Sequence, residues 1–210
     1  MLKSTIYLDS GHSDSYPGSI TQYGKESELN AQIRNALIPE LQRCGFEVKA
    51  VPDNLNLRDS IDWVNANSST INDGLALAIH CNCCGSSGAE SFFYGQNAKS
   101  KEIATKLLDG YCQETGLARS NGGVRSDTTG RFGELGWIRQ TKPWATLLEM
   151  IYLDNKEDVD FLVNNKEKVV DGIVRGVCNI YGIPYIEETN PPIVDKEETK
   201  RKIITLLNQL

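Results

Sequence analysis

The chain has 210 residues, 40% of them hydrophobic and 24% charged, which suits one ordinary domain with a full core and excludes disordered or fibrous classes. A formal net charge of −6 excludes a general nucleic-acid binder, because such affinity rests on neutralising phosphates with Lys and Arg. No apolar run approaches the ~18–20 residues of a membrane span, and "MLKSTIYLDS" does not read as a signal peptide, since its Lys is followed by only a strand's worth of apolar residues.

Residues 4–9, "STIYLD", read as a strand, and 27–44 as a helix with Leu29, Ile33, Leu37 and Leu41 on one face and Gly45 suited to its end. A strand follows at 46–51, "FEVKAV", then a helix over 57–67, "LRDSIDWVNAN". "GLALAIH" (74–80) is almost wholly apolar, as expected of a strand buried on both faces. Another strand is expected over 90–95, "ESFFYG", and a helix over about 98–115. Residues 117–136 are rich in Gly, Ser, Thr and Arg and read as a long surface loop, whereas "WATLLEM" (144–150) reads as a buried strand. Val159, Leu162, Val163, Val169, Val170, Ile173, Val174 and Val177 predict one helix over 156–181, with Asn155 as its N-cap. Strands alternating with helices imply an α/β fold, with a twisted, mostly parallel central sheet and helices on both faces.

After Gly182 the composition turns acidic and proline-marked. The expected organisation is a main domain over 1–182, a linker over 183–194 and a short amphipathic helix over 195–210, striped by Ile203, Leu206, Leu207 and Leu210. Such a helix is marginal alone, so it docks on its own domain, mediates self-association or opens a further module. The six cysteines are Cys44, Cys81, Cys83, Cys84, Cys112 and Cys178. A domain of this size needs no staples, and the three in "HCNCC" are too crowded to pair well, so they read mostly as thiols.

The chain has only two histidines, His12 and His80, and each follows an apolar, strand-like run. Glu149 follows "ATLL" in the same way. In open α/β sheets ligands gather beyond the carboxyl ends of the strands, where all three stand. A carboxylate there is costly to bury unless compensated; a structural alternative is a partner such as Arg139 or Lys142. Two histidines plus a carboxylate can hold catalytic zinc and leave a position for water, and a further carboxylate can handle protons. The candidate ligand carboxylates near His12 are Asp14, Glu26 and Glu28, of which Glu28 suits the dipole at a helix N-terminus. Cys81 and Cys83 should face away from His80 in a strand, leaving Cys84 as the one thiol able to approach a metal. The 117–140 region carries Arg119, Arg125, Arg131 and Arg139 beside Phe132 and Trp137, either as a solvated surface or as a wall meeting substrate carboxylates.

"LDSGH", "KESELN", "LALAIHCN" and "ATLLEM" resemble, in order, four signature segments of the zinc-dependent N-acetylmuramoyl-L-alanine amidases of type 3, the amidase-3 family. The resemblance runs from about residue 4 to residue 182, with "GGVRSD" and "LDNKEDVDFL" matching later segments more loosely. It implies that His12, Glu26 and His80 hold Zn2+ and that Glu149 is the catalytic carboxylate. The chain departs from the family at Ser10, where Pro is usual, at Ser13-Asp14, where Gly-Gly is usual, and at Cys81-Asn82-Cys83, where Ala-Asn-Ala is usual. None of these removes an implied ligand.

The expected activity is hydrolysis of the amide between N-acetylmuramic acid and L-alanine in peptidoglycan, as in an endolysin or autolysin that degrades bacterial cell wall. Asn82, Arg125 and Arg139 are the candidate substrate contacts. Asp9 is placed to accept the second ring N–H of His12 or to cap the turn. A zinc peptidase acting on the stem peptide and a non-catalytic wall-binding module are the alternatives. The absence of a leader suits either a phage-encoded lysin made in the host cytoplasm or a secreted enzyme expressed without its leader.

Overall fold

The computed structural model describes residues 5–130 and 133–187. The helix expected over 195–210, most of the linker, Arg131 and Phe132 lie outside those residues.

The apolar runs become strands β1 (Thr5–Asp9), β4 (Glu47–Ala50), β5 (Leu75–Asn82) and β8 (Trp144–Tyr152). Two more, β6 (Ala89–Phe93) and β7 (Arg119–Ser126), complete a six-stranded sheet ordered β4-β1-β5-β8-β6-β7. All neighbours pair in parallel except β6 and β8, which are antiparallel. A two-residue hairpin, β2 (Ile20–Thr21) and β3 (Gly24–Lys25), sits apart from the sheet.

Alternation along each strand divides the core. Ile6, Leu8, Leu75, Leu77, Ile79, Leu148 and Met150 face α1 (Glu26–Arg43), α3 (Ala98–Thr115) and α6 (Lys166–Tyr181). Tyr7, Ala76, Ala78, Phe92, Ala145 and Leu147 face the shorter α2 (Leu57–Asn67) and α4 (Gly136–Gln140). On the first face α3 and α6 touch through glycine: a Cβ on Gly110 would lie 2.4 Å from the Gly176 nitrogen, and one on Gly176 would lie 2.5 Å from the Leu107 oxygen. Among the described residues no helix is long and apolar enough to cross a membrane.

Two expectations are corrected. The 117–136 segment is only partly loop: β7 occupies its first half, pairing with β6 at the sheet edge, and a 3-10 turn follows at Asp127–Thr129. An edge strand with one partner needs little apolar surface, so its polar composition hid it. The helix expected over 156–181 is two, α5 (Lys156–Asn164) and α6, broken at Asn165. Asn165 leaves helical geometry at φ −127°, ψ 38°, and both its backbone N–H and its side-chain amide donate to the Phe161 carbonyl, closing α5. Asn155 caps α5 as expected, accepting from the Glu157 and Asp158 amides.

Candidate active site

The carboxyl ends of β1 and β5 and the N-terminus of α1 bring His12, Glu26 and His80 together. After Asp9 the chain turns sharply, with positive φ at Gly11 (+55°) and His12 (+66°). The Asp9 carboxylate accepts from the Gly11 amide at 2.9 Å, so it braces this turn; burial raises its pKa and the nearby His80 opposes the rise. Gly11 has no room for a side chain, because a Cβ there would lie 2.5 Å from the His80 ring. Gly18 is equally confined, between Glu26 and His12. These two glycines build the site, and their only trace in the sequence is that each lies in a loop beside a histidine or the helix start.

Glu26 is the first residue of α1. No side chain caps this helix; loop carbonyls do, with the Glu26 amide donating to Ser19 and the Ser27 amide to Pro17. The Ser19 amide returns a 2.9 Å bond to Glu26 Oε2. Glu26 Oε1 lies 3.0 Å from His80 Nδ1 and 3.2 Å from His12 Nε2, and accepts from the Cys81 amide. One ligand atom from each of the three residues lies within 4.8 Å of the others, so the trio could hold a metal ion. Burial alone would raise the Glu26 pKa, yet the two imidazoles hold it far below the usual carboxylate range. Burial disfavours His80 imidazolium, but the Glu26 carboxylate outweighs it and raises His80 to about 9. Side-chain exposure of 32% at His12, 17% at His80 and 5% at Glu26 places the open side of the cluster next to His12. Asp14 and Glu28 stand outside it, Asp14 exposed on the loop and Glu28 paired with Lys25 at 2.8 Å.

Glu149 on β8 lies directly opposite His80 on β5 and, across its other edge, opposite Glu90 on β6. Its Oε2 is buried without a hydrogen-bond partner. Burial pushes its pKa up to about 8, against the pull of His80 and with the carboxylates of Glu26 and Glu90 adding to the rise. Glu90 is fully buried and well compensated: Arg125 and Asn121 donate to it at 2.7 Å, and the Tyr152 hydroxyl donates as well. Sequence reasoning missed Glu90, because a glutamate in "AESFF" looks like the solvent side of an alternating strand.

Asp9, His12, Glu26, His80 and Glu149 border one cavity of about 940 Å³, together with Asn82, Cys83, Cys84 and the apolar Leu57, Phe92, Leu135 and Trp137. Asn82 turns its Oδ1 to the Cys83 amide at 2.8 Å. Arg125 borders the cavity with its guanidinium engaged by Glu90 and the Thr129 carbonyl and stacked over Phe92. Arg139 is not among the cavity residues; it is held by Asp127 and Glu134 and lies over the Tyr94 ring. Arg119 pairs with Asp109. Cys84 lies against Cys83, outside the His–Glu–His cluster.

A family model described as N-acetylmuramoyl-L-alanine amidase matches residues 6–179. No protein of curated function matches the chain in sequence. Among solved structures, the fold is similar to an N-acetylmuramoyl-L-alanine amidase from Clostridium difficile 630, with TM-score 0.73 and 20% identity over 87% of this chain and 98% of that one. It is also similar to the catalytic domain of CwlV, an N-acetylmuramoyl-L-alanine amidase from Bacillus (Paenibacillus) polymyxa var. colistinus, with TM-score 0.72 and 22% identity over 87% and 100% of the two chains. The catalytic domain of an endolysin targeting Clostridia difficile gives TM-score 0.67 and 23% identity over 87% and 99%.

Proposed function

Since the chain belongs to the N-acetylmuramoyl-L-alanine amidase family, we propose that it cleaves the bond between the lactyl group of N-acetylmuramic acid and L-alanine in peptidoglycan, with Zn2+ held by His12, Glu26 and His80 and protons handled by Glu149. The observation that carries this reading is the convergence of the three donors with Glu149 in one cavity. Two imidazoles and one carboxylate are a donor set that suits zinc. When bound, the ion lowers the pKa of water and polarises a carbonyl.

The chain's own residues do the rest. Glu149, with one buried oxygen unpartnered, takes the proton of the attacking water and returns it to the departing alanine amine. A carboxylate raised to about 8 exchanges protons near neutrality, which matches both halves of that task. Asp9 fixes the turn that aims His12, and Ser19 fixes the second oxygen of Glu26. Asn82 and the apolar wall of Leu57, Leu135 and Trp137 border the space in which substrate lies. Arg125 shapes that wall through Glu90, whereas the position of Arg139 gives it a structural task.

Mass spectrometry of digested, purified peptidoglycan tests the reading. Released peptides should begin with free L-alanine and the glycan should keep intact lactyl groups. Cuts within the stem peptide would replace it with a zinc peptidase.

A further inference from the structure

Cys83 and Cys84 sit on the cavity wall with their sulfurs 2.9 Å apart. That is well inside ordinary contact between two thiols and within about 1 Å of the ~2.05 Å of a disulfide. The loop is held in this shape from outside, because the Asp154 carboxylate accepts from the Cys84 amide at 3.0 Å and the Gly85 amide at 2.7 Å. Cys84 takes φ +85°, a conformation that side chains rarely adopt. Of the other cysteines, Cys81 also borders the cavity but is buried in the helix-covered core, where Cys44 and Cys178 lie too, and Cys112 is on α3. Neither sulfur belongs to the His12–Glu26–His80 cluster.

We propose that Cys83 and Cys84 form a reversible dithiol–disulfide site on the wall of the catalytic cavity, closed by small-molecule disulfides such as oxidised glutathione. Exposed Cys84 attacks one sulfur of the small disulfide, forming a mixed disulfide and releasing one small thiol. Cys83, half-buried with its sulfur 2.9 Å from that of Cys84, then attacks the Cys84 sulfur. The S–S bond between the two cysteines forms, the mixed disulfide breaks, and a second small thiol leaves. Two protons and two electrons pass from the protein to the small disulfide, which is reduced to two thiols. Adjacent residues sit about 3.8 Å apart at Cα, closer than the ~4.4–6.8 Å usual for a disulfide, so the closed form is easily reduced and the site is reversible. The site holds whatever bond the cavity cuts.

Treatment of the zinc-loaded full chain with oxidised glutathione, followed by intact-mass analysis and peptide mapping without reduction, tests the proposal. The expected product is two hydrogens lighter, has its bond inside the peptide carrying both residues, and returns to the starting mass with reduced glutathione. Cys83→Ser should stop at one glutathione on Cys84. A stable glutathione on Cys84 of the unmodified sequence, a bridge to any other cysteine, or no reaction would each overturn it.

Discussion

The two faces of the sheet are packed by opposite means. One is covered by three long helices whose Leu, Ile and Val side chains fill the space, with Gly110 and Gly176 letting backbones meet. The other is covered by two short helices over small side chains, Ala76, Ala78 and Ala145, and is left with the cavity that collects the titratable groups. His80, Glu90 and Glu149 all project to this second face, at the end where β5 and β8 finish and β6 begins. The difference teaches that one sheet separates two tasks: the tightly packed side holds the fold, and the loosely covered side keeps buried carboxylates beside an open cavity. Substitutions on the two faces should therefore fail in different ways.

The sharpest separation comes from Glu149→Gln. Turnover should fall about 10²–10⁴-fold, the usual contribution of a positioned acid–base group. The melting temperature should hold or rise, since an unpartnered buried carboxylate is removed. Bound zinc should also remain, whereas His80→Ala should lose it. Turnover on soluble muropeptide, a thermal melt and metal analysis check the three together.

Arg125→Leu is the substitution that could break the comparison, because it tests stability on the reactive face. Removing the guanidinium leaves Glu90 charged, fully buried and short of a partner, at a cost of about 3–5 kcal/mol. Urea denaturation measures the loss, and the double variant Arg125→Leu/Glu90→Gln should recover most of it. A loss below the ordinary effect of a surface change would mean that Asn121 and Tyr152 satisfy Glu90 by themselves.

Gly176→Ala gives the smallest of the three effects and the converse pattern. The added methyl meets the backbone of α3 and should cost about 1–3 kcal/mol of overpacking. Activity per folded molecule should stay at the parent level, as determined by titrating active protein before assay.

Much of this arrangement is legible in the sequence where one residue pattern has one meaning. "LALAIH" and "ATLLEM" are too apolar for anything but buried strands, so the polar residue ending each run marks the crevice. The 57–67 helix appears with its predicted bounds, because Asn56 caps it and Ser68 ends it. Glu26 emerged from three carboxylates only through resemblance, since the loop carbonyls that fix it leave no local signature. The α5–α6 break was hidden because valines continue at helical spacing on both sides of Asn165. Arg125 and Arg139 looked alike as substrate contacts, and their different fates depend on Glu90 and Asp127, buried acids that only the sheet order brings within reach. Glu90 itself acquires meaning only when β8 is known to lie beside β6.

The central position of β8 has a consequence for the order in which the molecule is made. β5 and β6 are joined by a short link, yet they do not pair with each other; the strand between them is not synthesised until Trp144–Tyr152. A nascent chain ending before that point carries two open sheet edges where the centre should be, the kind of edge that recruits other chains. The same late strand delivers Glu149, so completion of the sheet and arrival of the carboxylate proposed to handle protons are one event in biosynthesis. Fragments stopping short of Trp144 should thus be aggregation-prone and, on the proposed mechanism, without hydrolytic activity, since a ribosome-bound chain gains Glu149 only as its fold closes.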